Sequence, residues 1–179
     1  ITPPTELKTL ELDTNVSGVI TEKGEQDVYT FSGSNGQRLY LDLIGNQNRY
    51  TNIALESPSG KQYFSRSIKD YYGRVEDQGF ITLNEDGEYR LIIDGNSDNI
   101  STYSFSLRNL ENIDSLVLDQ EQLGTILNTN GKETHLYKIE GTEGQKLYLE
   151  SLQDAGSGTW RVYGAGNQQI GAANVNDDF

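Results

Sequence analysis

The stretch that decides the fold reads Asp27-Val28-Tyr29-Thr30-Phe31, and its side chains alternate strictly. Tyr29 and Phe31 share one face of an extended chain, while Val28 and Thr30 share the other. The same period of two, with aromatic and aliphatic residues, recurs in residues 39–43, 89–93 and 103–107. Alternation of this kind indicates β-strands that pack one face on a core.

Turn-forming clusters separate the alternating stretches. They supply Gly, Asn or Asp, which tolerate the positive φ angles of turns, in residues 22–25, 34–36, 57–60, 84–87 and 94–96. No long stretch shows a convincing apolar stripe at helical spacing. Strands about every ten residues with turns between them predict an all-β fold, either a sandwich or a barrel.

The sequence also repeats itself. Residues 36–41 match residues 144–149 at five of six positions, with residue numbers offset by 108. The stretch from Gly18 matches the stretch from Gly124 at an offset of 106, and residues 53–63 resemble residues 160–170 at an offset of 107. A unit of about 100 residues has the length of a domain rather than of a solenoid repeat. The sequence therefore predicts two copies of one unit, in residues 1–110 and 111–179.

The second copy is incomplete. Its last residues, 175–179, match residues 75–80, so the strands at 81–93 and 103–107 have no counterpart. In the part that remains, we expect Tyr137 and Leu147 to lie in a core, as Tyr29 and Leu39 do in the first copy. Because open sheet edges and bare apolar faces recruit partners, the sequence predicts self-association through the second copy. Packing against the first copy and continuation beyond Phe179 are the alternatives.

Composition bounds the class of protein. The 179 residues carry 14 Lys and Arg against 27 Asp and Glu, a formal net charge of −13, which argues against nucleic acid and anionic bilayers as partners. No apolar run approaches the ~20 residues that membrane insertion needs. The lack of Cys excludes disulfides and thiolate chemistry. The chain begins at Ile1 and contains no Met, as expected of a processed product or a piece of a longer chain.

An ordered pattern of turn and core residues runs through the first copy. It consists of Gly18, Ile20, Asp27, Tyr29, Phe31, Gly36, Gln37, Leu39, Ser57, Pro58, Gly60, Asp86, Gly87, Tyr89, Leu91, Ile93, Tyr103, Phe105 and Leu107. This pattern resembles the bacterial pre-peptidase C-terminal domain family. The resemblance implies an antiparallel, jelly-roll-like β-sandwich in a secreted or cell-surface protein, without catalytic activity. Similar collagen-binding modules of bacterial collagenases bind calcium and a protein fibre. The chain departs from the family setting because it has no protease domain, and His135 stands where the first copy has Asp27.

The sequence offers little for catalysis. Its only imidazole is His135, which alternation places on the face of Tyr137 and Ile139, at the margin of a core. A nucleophile needs a base that a third group orients, and no motif supplies this arrangement. Carboxylate pairs suited to glycoside hydrolysis arise by chance among 27 acids. We predict a non-enzyme without catalytic residues; a small carboxylate-dependent hydrolase is the alternative.

A candidate calcium site lies at Asp94, Asn96 and Asp98. These residues place three oxygen-bearing side chains at alternate positions, as in the first half of a calcium loop. The loop is not an EF-hand, because Asn99 occupies the glycine position and Phe105 the place of the final glutamate. Asp and Asn also favour turns for backbone reasons alone. Calcium is the only cofactor that the sequence suggests.

Aromatic side chains form a second candidate site. A flat aromatic platform stacks sugar rings or packs against a protein partner, although ordinary packing uses the same residues. By contrast, Tyr40 and Tyr148 recur opposite the leucines in both copies, which favours a shared structural role. The candidate ligand-binding residues are Tyr71 and Tyr72 in a polar segment, and Trp160 and Tyr163 in a strand of the second copy.

Together these features predict a spacer, adhesion or substrate-presenting module of a secreted or cell-surface bacterial protein. The alternative is a carbohydrate- or protein-binding module with an aromatic site, whose partner is a polysaccharide or a matrix protein.

Overall fold

The computed structural model describes residues 5–44, 51–69, 77–95, 100–124, 134–152 and 158–178. The regular secondary structure in these ranges is entirely β, and none of their residues form a helix long and apolar enough to cross a membrane. The strands are β1 Glu6–Thr9, β2 Asn15–Ile20, β3 Gln26–Gly33, β4 Arg38–Leu43, β5 Thr51–Glu56, β6 Gln62–Ser67, β7 Gly79–Thr82, β8 Gly87–Gly95, β9 Ser101–Asn109, β10 Asp114–Ser115, β11 Tyr137–Lys138, β12 Thr159–Tyr163 and β13 Gln169–Asn174.

Two sheets form a sandwich. One has the strand order β1-β3-β8-β5-β6 and the other the order β2-β9-β4-β7. Buried side chains of both sheets form one apolar cluster, with Leu91 and Ile93 from the first sheet and Leu39, Leu41 and Phe105 from the second. The predicted all-β sandwich is therefore confirmed.

Alternation explains how β8, the central strand of the first sheet, contributes to the core. Tyr89, Leu91 and Ile93 are buried, whereas Glu88 and Arg90 are exposed and Ile92 is half-buried. On its two sides β8 pairs antiparallel with β3 and with β5, so both of its edges are covered. Full burial of such side chains contributes roughly 1.5–3 kcal/mol each, which makes β8 the centre of the core.

The first strand differs from the antiparallel arrangement that the sequence predicted. β1 pairs parallel with β3, with Leu7 opposite Val28 and Lys8 opposite Tyr29. Two parallel neighbours cannot be joined by a tight hairpin. Here the connection from β1 to β3 contains β2, which belongs to the other sheet. The chain thus crosses from one sheet to the other before it returns beside β1.

The chain divides into two compact units, Ile1–Ile139 and Glu140–Phe179. The first contains the sandwich and a short parallel pair of β10 and β11. The second contains the antiparallel hairpin of β12 and β13. The sequence repeat instead predicts two copies that meet between residues 110 and 111, and this boundary stays a prediction.

Candidate functional site

A buried carboxylate ties the two sheets of the first unit together. Asp27 is 1% exposed, and its Oδ1 accepts a hydrogen bond from Lys8 Nζ at 2.8 Å. Its Oδ2 accepts from the hydroxyl of Tyr103, which lies 2.8 Å from the hydroxyl of Tyr29. Because the charge is paired and hydrogen-bonded, the cluster of Asp27, Lys8, Tyr103 and Tyr29 satisfies its own polar groups.

The same cluster fixes the protonation of Tyr103. Burial, followed by the hydrogen bond to Asp27, raises the pKa of this phenol above its usual range. A neutral phenol donates to the carboxylate, which is the arrangement expected of a structural tie. The three strands that it joins are β1 and β3 of one sheet and β9 of the other.

A second carboxylate clamps β4. Asp77 Oδ2 accepts from the Tyr40 hydroxyl at 2.9 Å, and Asp77 Oδ1 accepts from the backbone N–H of Leu43 at 3.0 Å. The hydroxyl of Thr134 adds a third donor at 3.1 Å. Burial and the charge of Asp77 raise the pKa of Tyr40 above its usual range.

This clamp recurs in the second unit. Asp178 Oδ2 accepts from the Tyr148 hydroxyl at 2.6 Å, and Asp178 Oδ1 accepts from the N–H of Ser151 at 2.9 Å. Tyr148 and Ser151 follow Tyr40 and Leu43 at the repeat offset of 108. The hydrogen bond from Tyr148 lowers the pKa of Asp178 and raises that of Tyr148. This agrees with the shared structural role that the sequence indicated for Tyr40 and Tyr148.

Turn geometry recurs at the same offset. Gln37 N–H donates to Ser34 C=O at 3.0 Å, and Gln145 N–H donates to Thr142 C=O at 3.0 Å. Each turn contains a glycine with a positive φ angle, 85° at Gly36 and 79° at Gly144. A positive φ favours glycine because it has no Cβ.

The parallel strand pairs recur as well. Leu10 N–H donates to Thr30 C=O at 2.8 Å beside β1, and Leu116 N–H donates to Lys138 C=O at 2.9 Å beside β10. The donors differ by 106 in residue number and the acceptors by 108, which are the offsets of the sequence repeat. β10 and β11 thus pair in the register of β1 and β3.

The hairpin of the second unit repeats that of β5 and β6. Both hairpins contain a bulge, at Leu55/Glu56 and at Val162/Tyr163. Ile68 N–H donates to Thr51 C=O at 2.9 Å, and Val175 N–H donates to Gly158 C=O at 3.2 Å. Val175 therefore takes the position of Ile68. The sequence match of 175–179 with 75–80 is wrong in register at Val175, and Val75 itself lies outside the described residues.

Burial does not recur with the backbone geometry. Leu39 is fully buried, whereas Leu147, its counterpart, is 44% exposed, and no strand forms in the described residues 139–152. Tyr137 is half-buried. The expectation that Leu147 lies in a core is therefore wrong. Leu39 is held in β4, which pairs with β7 and β9 and packs in the core between the two sheets, and this arrangement has no counterpart in the described part of the second unit.

The predicted aromatic site is described in part. Trp160 and Tyr163 both lie in β12 and are partly exposed. They lie three positions apart, an odd spacing that places side chains of a regular strand on opposite faces. The indole N–H of Trp160 lies 3.4 Å from Val175 C=O. Tyr71 and Tyr72 lie outside the described residues.

One edge of β12 has no strand beside it in the residues described. β5 pairs with β6 on one side and with β8 on the other. Among the described residues of the second unit, β12 pairs with β13 alone. In the same unit, Trp160 and Leu147 are large apolar side chains with substantial exposure. An uncovered edge with apolar side chains is a typical surface for association.

The candidate calcium site is also described in part. Asp94 lies half-buried near the end of β8 and accepts a hydrogen bond from the Gln26 amide at 3.3 Å. Asn96 and Asp98 lie outside the described residues. Within the ranges described, no group of three or more His, Cys, Asp and Glu residues could hold a metal ion.

His135, the one candidate for a general base, is exposed. It follows Asp27 at the repeat offset of 108, so an imidazole replaces the buried carboxylate of the first copy. Sequence reasoning missed the structural role of Asp27 and of Asp77. For Asp27 the sequence did carry a signal. Asp27, Tyr29 and Phe31 stand at every second position of the strand, so the side chain of Asp27 lies on the same, core-facing side.

Comparison with known proteins gives a likeness in fold. No family model matches the chain, and no curated protein matches it. Among solved structures, the pre-peptidase C-terminal domain of a collagenase from Bacillus anthracis is similar at a TM-score of 0.46, with 17% identity over 59% of this chain and 97% of that domain. PliG from Salmonella Typhimurium, a periplasmic inhibitor of g-type lysozyme, is similar at 0.40, with 19% identity over 57% and 99%. PliG from Aeromonas hydrophila is similar at 0.42, with 13% identity over 59% and 100%.

Proposed function

We propose that the chain is a non-catalytic β-sandwich module of a secreted or cell-surface bacterial protein, built from two copies of one unit. It acts as a spacer, adhesion or substrate-presenting element. The observation that carries the proposal is the recurrence of the Tyr–Asp clamp, in which Asp77 and Asp178 bind a phenol and a backbone amide in the same way. What the two copies share is a contact that fixes a phenol and the backbone three residues later, and not a reactive group.

The buried charges support a structural role in the same way. Asp27 is occupied by Lys8 and Tyr103, so its lone pairs serve the fold rather than a substrate. At the corresponding place in the second copy stands His135. A duplicated active site would keep its reactive groups, whereas this pair of positions exchanges an acid for an imidazole.

A binding role is the second candidate, and the exposure of the second unit favours it. Trp160, Leu147 and Ile170 are exposed apolar side chains in a small unit, and such surfaces typically bind partners. The partner is a matrix protein, a polysaccharide or, through self-association, a second copy of the chain. Calcium held by Asp94, Asn96 and Asp98 would then stabilise the module.

A panel of ester, peptide and glycoside substrates tests the non-catalytic proposal. The expected result is no turnover above that of the buffer. Turnover that persists through repeated purification and disappears in His135→Ala would overturn the proposal, and turnover that disappears only in carboxylate variants would favour the alternative, a small hydrolase.

An array of glycans and matrix proteins separates the spacer from the binder. A pure spacer binds nothing on the array, whereas a binder retains the wild-type chain. Trp160→Ala tests whether the second unit supplies the site, because the variant removes an exposed ring. His135→Ala, which changes another exposed ring outside β12, is the matched control and should bind as the wild type does.

A further inference from the structure

The hairpin of β12 and β13 repeats the hairpin of β5 and β6 closely enough to locate a missing neighbour. In the first unit, β5 has β6 on one edge and β8 on the other. β12 has β13 in the place of β6, with the same bulge and the same closing hydrogen bond. In the described residues of the second unit, no strand takes the place of β8.

The backbone direction identifies the groups that face this edge. Gly158 C=O accepts from Val175 N–H, so the polar groups of Gly158 point toward the side of β13. Successive residues of a strand point their backbone groups to alternate sides. The N–H and C=O groups of Thr159 and Arg161 therefore point away from β13. Their counterparts, Asn52 and Ala54, lie opposite Asp94 and Ile92 of β8.

The side chains on the face of β12 that corresponds to the core face of β5 are apolar. Ile53 and Leu55 of β5 are fully buried beneath the opposite sheet, and their counterparts at the repeat offset of 107 are Trp160 and Val162. Trp160 is 40% exposed, and nearby in the sequence of the same unit Leu147 is 44% exposed. A strand added here would cover apolar surface that is open to water.

We propose that the edge of β12 formed by Thr159 and Arg161 binds an extended, antiparallel strand with apolar residues at alternate positions, of the chemistry that β8 has. The inference rests on the two-copy organisation of the proposed function. The register follows from the first unit, where Ile53 lies opposite Ile93 and Leu55 opposite Leu91. Apolar residues of the partner strand should accordingly lie opposite Trp160 and Val162.

The charge of the chain favours a separate partner strand over a second chain of the same sequence. Each chain carries a net charge of −13, so two chains repel one another over a distance of about a Debye length. At the edge itself, Arg161 replaces the uncharged Ala54. A partner strand that is neutral or acidic on its outward face therefore pairs better with β12 than another basic edge does.

A synthetic peptide with the sequence of β8, residues 87–95, is the probe. Trp160 is the only tryptophan of the chain, and the peptide contains none, so indole emission reports on the edge directly. We expect the peptide to shift the emission to shorter wavelength in a saturable way. The same peptide with Leu91→Asp, which places a charge opposite Val162, should cause no shift.

Two proline variants test the edge. Arg161→Pro removes an N–H that points away from β13, a position where an edge strand tolerates proline, and should weaken peptide binding about tenfold. Thr159→Pro removes the other such N–H and guards against an unfolded first variant. Gln122→Pro, at an exposed position outside the strands of the first unit, is the matched control, with binding close to that of the wild type.

The outcomes separate this inference from the proposed function. No shift with the wild type, or equal binding by wild type and both proline variants, overturns the strand site. A wild-type dimer in sedimentation that Arg161→Pro abolishes, without any peptide binding, assigns the edge to a second chain and also overturns it. Hydrolytic turnover would overturn the non-catalytic function and leave the peptide result unchanged.

Discussion

Leu39 and Leu147 occupy equivalent places in the repeat, and their replacement by Ala should have very different costs. Leu39 is 0% exposed and Leu147 is 44% exposed. Leu→Ala removes carbon groups worth about 2.4 kcal/mol of transfer free energy, at ~0.8 per group. For Leu39 the cavity left in a closed core raises the cost to about 3–5 kcal/mol.

For Leu147 only part of that transfer free energy applies, because nearly half of the side chain is already in water. The expected cost is about 1.3 kcal/mol or less, without a closed cavity. Leu147→Ala is therefore the control that the chain itself supplies for Leu39→Ala.

Urea unfolding measures both variants with two probes. Far-UV circular dichroism follows the strands, most of which belong to the first unit, and Trp160 emission follows the second unit. Leu39→Ala should lower the dichroism midpoint by about 2 M, and Leu147→Ala should leave it nearly unchanged. Equal shifts for the two variants would refute the reasoning, because they would mean that both leucines support one closed core.

Three further predictions follow from local contacts. Gly18→Ala should lower the free energy of unfolding by about 2–4 kcal/mol, because a Cβ at this position would overlap the Tyr103 hydroxyl. At the counterpart, Gly124, a Cβ would meet only the Tyr137 hydroxyl at 3.5 Å, so Gly124→Ala should cost little. Equal urea midpoints for the two variants would contradict this. Burial raises the pKa of Tyr89 from 10.0 to about 12. Between these pH values the folded state keeps a proton that the unfolded chain loses. The contribution of Tyr89 to the free energy of unfolding is therefore fully present below pH 10 and should fall by about 1.4 kcal/mol per pH unit between pH 10 and 12. Tyr89→Phe should lack this part of the slope, and a stability that is constant or rises between these pH values would count against it. Calcium at Asp94, Asn96 and Asp98 predicts that excess chelator lowers the Tm; an unchanged melting curve, with no heat on adding calcium, would dispose of the site.

The sequence predicted the elements whose pattern is local. Alternation identified β3, β4, β8 and β9, because an apolar residue at every second position is visible within a few residues. The offsets of 106 to 108 in residue number predicted which parts of the two copies correspond, and the hydrogen bonds of Leu10 and Leu116 follow those offsets. Local periodicity and the spacing of the repeat carry this information.

What the sequence did not predict depends on contacts between distant residues. The parallel pairing of β1 with β3 leaves no mark in the alternation of either strand. Asp77 and Asp178 do not stand at the repeat offset, and the shared clamp became visible only through the bonds to Tyr40 and Tyr148. The exposure of Leu147 depends on which strands are present to cover it, and its own neighbours in sequence cannot reveal that.

The central claim is that the hairpin of β12 and β13 repeats the hairpin of β5 and β6 and, among the residues described, lacks the neighbour that β8 provides for β5. The most direct test is amide hydrogen exchange at Arg161 in a chain that carries residues 79–112, the segment of β7, β8 and β9, fused after Phe179. If the fused strand pairs with β12, exchange at Arg161 should slow by about a hundredfold or more, and the same fusion with Leu91→Asp and Ile93→Asp in the added segment should lack this protection. Exchange at Arg161 as fast in the fusion as in the parent chain would contradict the claim.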